Sequence, residues 1–340
     1  MKLLKCVVRP NALEEVKEAL NGLGVTGMAV SEIQGFGSQK DSIDQLPTNH
    51  TTQSTKGTWR TYSLAEGLAG IQVEHIAEDS DGYLWFGTWD SGASRFDGDE
   101  FKTFNRISGL CGNQVMAIFL DSQDRLWFGT RDGGACWFDG QRFHHFKDNN
   151  GVSNSNIGYI AEDRYGRVWF SGEETLGYYE DQTFHNLYPE YLRSRNKPLA
   201  ENTFRGCNGI AMDEQGCVWL GFSTLSRYDG HSFRHFDSAS GLPESTYAYA
   251  LNIDDQGELW VGGSNILGRF IDETFYPTSF SPRSLVRKIQ TDRAGRTWFC
   301  TSGGGAISYD GENFLRLTVQ DGVAYDVINS VFTDREGHIW

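Results

Sequence analysis

The chain has 340 residues, with 40 Gly, only 7 Pro, 14% aromatic residues and a formal net charge of −15. Aromatic content at this level supplies apolar surface to bury and excludes a disordered or collagen-like chain. The acidic balance argues against duplex nucleic acid or a polybasic membrane-surface role, both of which need a basic face, and no run of about 18 apolar residues predicts a transmembrane helix.

In chain order, residues 1–40 predict strand, helix, strand. Leu3 to Val8 is a short apolar run stopped by Pro10. Asn11 is a natural N-cap with Glu14 three residues on, in the manner of a capping box. Leu13, Val16, Ala19, Leu20 and Leu23 follow at helical spacing, and Gly24 is a C-terminal stop. Val25 to Ile33 alternates weakly as a second strand, broken by Gly35 and Gly37. Charges interrupt the first apolar stretch at Lys5 and Arg9, so it lacks the form of an export signal and a cytoplasmic location is expected. Residues 41–57 are polar, turn-rich and without hydrophobic period, which predicts a linker.

From residue 58 onward a repeat governs the chain. Its mark is D-x₅-W: Asp79/Trp85, Asp121/Trp127, Asp163/Trp169, Asp213/Trp219, Asp254/Trp260, Asp292/Trp298 and Asp334/Trp340. Successive tryptophans are 42, 42, 50, 41, 38 and 42 residues apart. Gly stands three residues before the Trp in every repeat but the second, which has Asp124. Each unit holds four short stretches of period-two alternation joined by D-x-x-G or Asp-Gly turns, such as Asp97-Gly98 and Asp229-Gly230. Four antiparallel strands in about 42 residues make one propeller blade, and a blade buries both faces only by stacking on neighbours in a ring.

The expected fold is therefore an all-β propeller over residues 58–340, seven-bladed with the last blade incomplete, after a short βαβ segment. The stretch Trp59/Tyr62 is the expected last strand of the shared closing blade. The chain stops at Trp340 inside a repeat, which suggests a truncated or chimeric product. An Asp recurring at one phase is expected to form turns, with a calcium or catalytic role as the lesser alternative, since a catalytic residue is usually needed once. The six cysteines (6, 111, 136, 207, 217 and 300) are scattered without a CxxC pair and are expected to be buried thiols rather than disulfides or zinc ligands. None of the eight histidines falls in a metal-ligand pattern, and no nucleophile-elbow or phosphate-loop motif occurs. No metal and no catalytic residue is predicted.

Two family resemblances follow. Stretches such as EDSDGYLWFGTWDSGASRFDGDEF resemble the two-component regulator propeller family. That resemblance implies a sensory propeller of a bacterial signal-transduction protein, which binds a ligand, an oligosaccharide being one candidate, and acts through a protein partner or output domain. Related sensors are often periplasmic. The N-terminal KLLKCVVRPNALEEVKEALNGLGVTGMAVSEIQGFGSQK resembles the opening βαβ of the P-II nitrogen-regulator family. It implies that Val7, Gly35, Phe36, Gly37 and Gln39 match positions around that family's ATP and 2-oxoglutarate site, Gln39 helping to hold metal-bound 2-oxoglutarate. Position 38 is Ser where the family usually has Arg, and the modified T-loop tyrosine has no match.

The expected function is a non-enzymatic, ligand-binding sensory module without a cofactor, without nucleic acid and without a membrane segment in this chain. The alternatives are a P-II-type regulator binding ATP and 2-oxoglutarate, and a propeller lyase or glycosidase. The lyase or glycosidase would show two close carboxylates, or a histidine and a carboxylate, at one mouth of the channel.

Overall fold

A computed structural model of the chain describes residues 59–146, 152, 155–194, 209–222, 224–243, 247–264, 266–280, 282 and 284–340. The βαβ segment and the linker expected before residue 58 lie outside these residues.

The described residues form six four-stranded antiparallel sheets, each in simple chain order. Blade 1 is β1 (Val73–Glu78), β2 (Leu84–Thr88), β3 (Ala93–Phe96) and β4 (Phe101–Phe104). Blade 2 is β5 (Val115–Leu120), β6 (Leu126–Thr130), β7 (Gly134–Phe138) and β8 (Phe143–His145). Blade 3 is β9 (Asn156–Glu162), β10 (Val168–Glu173), β11 (Thr175–Glu180) and β12 (Thr183–Asn186), followed by the helix α1 (Tyr188–Ser194). Blade 4 is β13 (Gly209–Met212), β14 (Val218–Gly221), β15 (Leu225–Tyr228) and β16 (Phe233–Phe236). Blade 5 is β17 (Ala248–Ile253), β18 (Leu259–Gly263), β19 (Leu267–Ile271) and β20 (Thr274–Pro277), and blade 6 is β21 (Val286–Thr291), β22 (Thr297–Thr301), β23 (Ala306–Tyr309) and β24 (Phe314–Leu317). The helix sits in the longest repeat, between Trp169 and Trp219, and stacks Tyr191 on Phe222 at 4.2 Å.

The second strand of each blade explains the ring. In β2, β6 and β22 (LWFGT, LWFGT and TWFCT) every residue is buried, because the strand is covered on both faces by neighbouring blades. Several box Trp lean on an aromatic ring of the next blade: Trp85 on Phe128 at 5.3 Å, Trp127 on Phe170 at 5.4 Å, Trp219 on Phe270 at 5.6 Å, and Trp260 on Phe299 at 5.0 Å. The glycine two residues after the Trp leaves room for the neighbouring inner strand. A Cβ on Gly87, Gly129 or Gly262 would stand 2.7 Å from Val115, Ile157 or Val286 respectively.

The box Asp ties each hairpin to its wedge. Its Oδ2 accepts the indole Nε1–H six residues on, in all seven copies, at 2.6–2.9 Å. Its Oδ1 accepts the backbone N–H four residues on at 2.8–3.1 Å. The glycine within the turn takes φ between 77° and 92°, and where the second repeat has Asp124 the backbone still goes left-handed, at φ 59°. Burial alone would push the Asp292 carboxyl up, but the Trp298 indole, the Arg296 backbone N–H and the Arg296 charge outweigh it and hold that carboxyl below its ordinary value.

The blade count departs from expectation. Six blades are found, not seven. The last repeat makes only a short hairpin, in which Phe332 and Trp340 exchange backbone hydrogen bonds and Thr333 bridges Ile339. Trp59 to Tyr62 forms no strand. The last repeat pairs only through isolated bridges, Val327 with Ser302 and Ile339 with Thr333, too few to make a further sheet. That hairpin nevertheless spans the space between blades 6 and 1. Ile328 N–H donates to Thr301 O at 2.8 Å, Asn329 Nδ2 donates to Val73 O at 3.1 Å, and Trp340 meets Phe86 at 5.7 Å and stacks on Tyr62 at 5.6 Å.

The cysteine expectation holds for Cys217 and Cys300, which are buried thiols, but Cys111 and Cys136 form a disulfide with Cα atoms 5.8 Å apart. The blade brings the loop before β5 onto β7, a proximity that sequence spacing does not encode. Cys6 and Cys207 lie outside the described residues.

Two outcomes test this architecture. Trp260→Phe keeps the wedge but removes the indole donor to Asp254 Oδ2. It should lower the unfolding free energy by about 1–3 kcal/mol, and Trp260→Ala by about 3–5 kcal/mol, in urea titrations followed by fluorescence. A Phe variant as stable as the parent would refute a structural role for the bond. Reducing Cys111–Cys136, or replacing both residues with Ser, should lower stability by about 3 kcal/mol for a loop of this length, read as a drop in Tm on adding dithiothreitol.

Candidate functional site

The inner strands β1, β5, β9, β17 and β21 each carry a register shift where they meet the second strand. The pairing passes from Val73 to His75, from Val115 to Ala117, from Ile157 to Tyr159, from Ala248 to Ala250 and from Val286 to Lys288. The residue left over in each is Glu74, Met116, Gly158, Tyr249 or Arg287. A bulge re-aims the side chain it displaces. All five bulged residues line one cavity of about 380 Å³.

The cavity sits at the start of the inner strands and the end of the second strands. The box turns lie at the other end of the inner strands, so the seven Asp–Trp pairs hold the scaffold and none of them lines the cavity. Trp89, Arg131 and Glu173 reach its rim from the ends of the second strands, and Asn329 comes from the closing hairpin. Tyr159 and Tyr249 lie on its wall, joined by a Tyr159 Oη–H bond to Tyr249 O at 3.4 Å. The Arg131 guanidinium lies over the Trp89 ring at 5.1 Å.

The charges are uneven. Arg287 Nη1 donates to Asn329 Oδ1 at 3.1 Å and Arg287 Nε to Ser302 Oγ; Lys288 Nζ donates to Ser330 Oγ at 3.1 Å. Glu74 accepts from Gln72 at 2.6 Å and from Asn329 Nδ2 at 3.4 Å. Burial lowers the Lys288 ammonium to about 8, the nearby Cys300 and Glu74 only partly offsetting it. Burial, and then the charge of Lys288, hold His75 well below the ordinary imidazole value, so it is neutral. Burial pushes the Cys300 thiol up to about 12.

The sequence-predicted cofactor residues Val7, Gly35, Phe36, Gly37 and Gln39 lie outside the described residues. His235 is half-buried and bonds Ser226 and Ser194. The cavity residues were not singled out from sequence. A signal for them exists: Glu74, Met116, Gly158, Tyr249, Arg287 and Asn329 each stand eleven residues before a box Trp. At that phase the residue type varies from repeat to repeat, while the apolar residue two places on (Ile76, Ile118, Ile160, Leu251, Ile289, Val331) stays apolar. A scaffold position repeats its chemistry; a position facing a ligand has no reason to.

Among the described residues Asp334, Glu336 and His338 could group around a metal ion. They lie on the closing turn, exposed apart from Asp334, with Asp334 already committed to Trp340. No helix among the described residues is long and apolar enough to cross a membrane.

Comparison with known proteins follows the same division. Residues 1–79 match the family model "Nitrogen regulatory protein P-II", and residues 109–132 and 151–174 match "Two component regulator propeller". The Nitrogen regulatory protein P-II of Microchaete diplosiphon is 38% identical over 80 residues, 24% of this chain and 61% of that protein. Nitrogen regulatory protein GlnK of Escherichia coli K12 is 48% identical over 40 residues, 12% of this chain and 36% of that protein. The chain thus spans less than two thirds of these relatives.

Among solved structures, the extracellular domain of a hybrid two component system from B. thetaiotaomicron superposes with a TM-score of 0.68 at 21% identity, over 83% of this chain and 40% of that one. Virginiamycin B lyase from Staphylococcus aureus gives 0.57 at 13% identity, over 74% and 86%. At these identities the likeness is one of fold. By sequence, then, the chain matches the P-II family at its N-terminus and the two component regulator propeller family in blades 2 and 3, and by fold it is a β-propeller.

Proposed function

We propose that the propeller is a non-enzymatic sensory module of a bacterial signal-transduction protein, and that it takes a small ligand at the cavity where the inner strands begin. The observation that carries this reading is the set of five bulges that turn one residue per blade into a single cavity. Its volume of about 380 Å³ lies within the range of small-molecule sites. Support also comes from the regulator-propeller match and from the fold shared with extracellular domains of two component and one component systems. Occupying the cavity would bridge blades 1, 2, 3, 5 and 6 and stiffen the ring, a change that an attached protein could sense. The Cys111–Cys136 bond favours an oxidising compartment for this module.

A second reading, a lyase or glycosidase, draws on His75, Glu74 and Glu173 lining the same cavity. A histidine and carboxylates at one mouth of the channel are the residue types that reading requires. A third, binding of ATP and 2-oxoglutarate, rests on the P-II match of residues 1–79.

One set of measurements separates these. Screening the full chain by thermal shift against oligosaccharides and small organic acids should yield a ligand that raises Tm. The shift should disappear in Tyr159→Ala and Trp89→Ala, and mass spectrometry should recover the ligand unchanged after incubation. Turnover abolished by His75→Ala would establish the enzyme reading instead. Micromolar, magnesium-dependent ATP binding by calorimetry would favour the P-II reading.

A further inference from the structure

The protein carries a net charge of −15, yet the cavity wall gathers Arg131, Arg287 and Lys288. Among the described residues none of these three is in an ion pair. Arg287 and Lys288 are held instead by the neutral oxygens of Asn329, Ser302 and Ser330. Elsewhere in the molecule several arginines are paired with carboxylates, as in Arg125–Asp121, Arg167–Asp163, Arg269–Glu258 and Arg296–Asp292. A half-buried lysine whose burial is only partly offset by the nearby Glu74 is unfavourable in the free protein, and an entering anion relieves it.

Resting on the channel-mouth reading above, we propose that this cavity is a site for a small carboxylate-bearing ring, its acid group held by Arg287 and Lys288 and its ring face laid on the aromatic wall of Trp89, Tyr159 and Tyr249. Arg287, the bulged residue of β21, lines the cavity, and the planar fork of its guanidinium suits a carboxylate. The Asn156 amide lines the same space and offers hydrogen bonds to ring substituents. Glu74 and Glu173 set the discrimination: they repel a second acid group on the far side of the ring, so a monoanion is favoured over a polyanion.

Affinity should fall as Lys288 loses its proton. The groups facing it are Glu74 and His75 on β1, Arg287 on its own strand, Cys300 on β22, and Asn329 and Ser330 on the closing hairpin, with Arg131 and Glu173 across the cavity. Of these, His75 is neutral and Cys300 is a thiol across neutral pH. The ammonium of the free protein titrates near pH 8, so the charged form is present below that pH and is lost as pH rises through it.

The test uses calorimetry on the full chain with glucuronate and benzoate, each beside its neutral counterpart, glucose and benzamide. At least one acid should bind about tenfold or more tightly than its counterpart, and the preference between the two acids tells a sugar ring from an aromatic one. Arg287→Gln, at an exposed position, should weaken that binding about tenfold with Tm unchanged. Binding should weaken between pH 7 and 9, and Lys288→Arg should remove this pH dependence while keeping the affinity. Neutral rings binding as tightly as acids, with loss in Tyr159→Ala, would overturn the anion assignment and leave the channel-mouth site standing. Acid binding unchanged in both Arg287→Gln and Lys288→Met, or no acid binding at millimolar concentration, would also overturn it. Acid binding that survives Trp89→Ala and Tyr159→Ala as well would remove the channel-mouth reading itself.

Discussion

A carboxylate bonded to an indole N–H six residues along the chain is the constraint on which the ring depends. The Asp closes a tight turn with one oxygen and fixes the Trp rotamer with the other, so local turn chemistry and inter-blade packing are coupled in one side chain. The Trp, once fixed, projects into the neighbouring blade and fills the space between two sheets. An arginine near the ring reinforces several of these wedges, as with Arg125 over Trp127 at 5.1 Å and Arg269 over Trp260 at 4.7 Å. The carboxylates are largely secluded and yet satisfied, which is the condition under which buried charge is tolerable. The last copy, Asp334–Trp340, does the same at the seam and places Trp340 against blade 1.

That scaffold frees the opposite end of the inner strands. Because the wedges and turns hold the blades, a strand can take a bulge at its start without losing its partner. Five strands do so, and four displaced side chains and Gly158 share one cavity. The result separates two kinds of repeated position. One repeats Asp, Trp and an apolar residue and builds the ring. The other changes from Glu to Met, Gly, Tyr, Arg and Asn and gives the cavity its chemistry. An acidic protein thereby presents a cationic, aromatic-walled pocket at one place.

The propeller was legible because its determinants are local and recur at one phase: D-x₅-W, the glycine in the turn and the period-two strands. Three things were not. Blade number depends on how much of the last repeat can pair, and the motif alone counted seven where six sheets form; Trp59 to Tyr62 resembles a closing strand but forms no strand in the structure. The Cys111–Cys136 bond depends on a loop folding onto a strand of its own blade. The cavity depends on bulges, which a period-two pattern conceals, since one extra residue in a short strand shifts the apparent alternation without breaking it. The positions eleven residues before each Trp become meaningful once register is known.

Hydrogen exchange at the tryptophan side chains addresses the central claim most directly. In a ¹⁵N-indole-labelled sample, the Nε1–H groups of Trp85, Trp127, Trp169, Trp219, Trp260 and Trp298 should exchange slowly with deuterium, and that of Trp340, at the seam, at an intermediate rate. Trp59, Trp89 and Trp137, which have no box Asp, should exchange fast. Ten indoles exchanging alike, or a slow class that includes Trp89 and Trp137, would contradict the account.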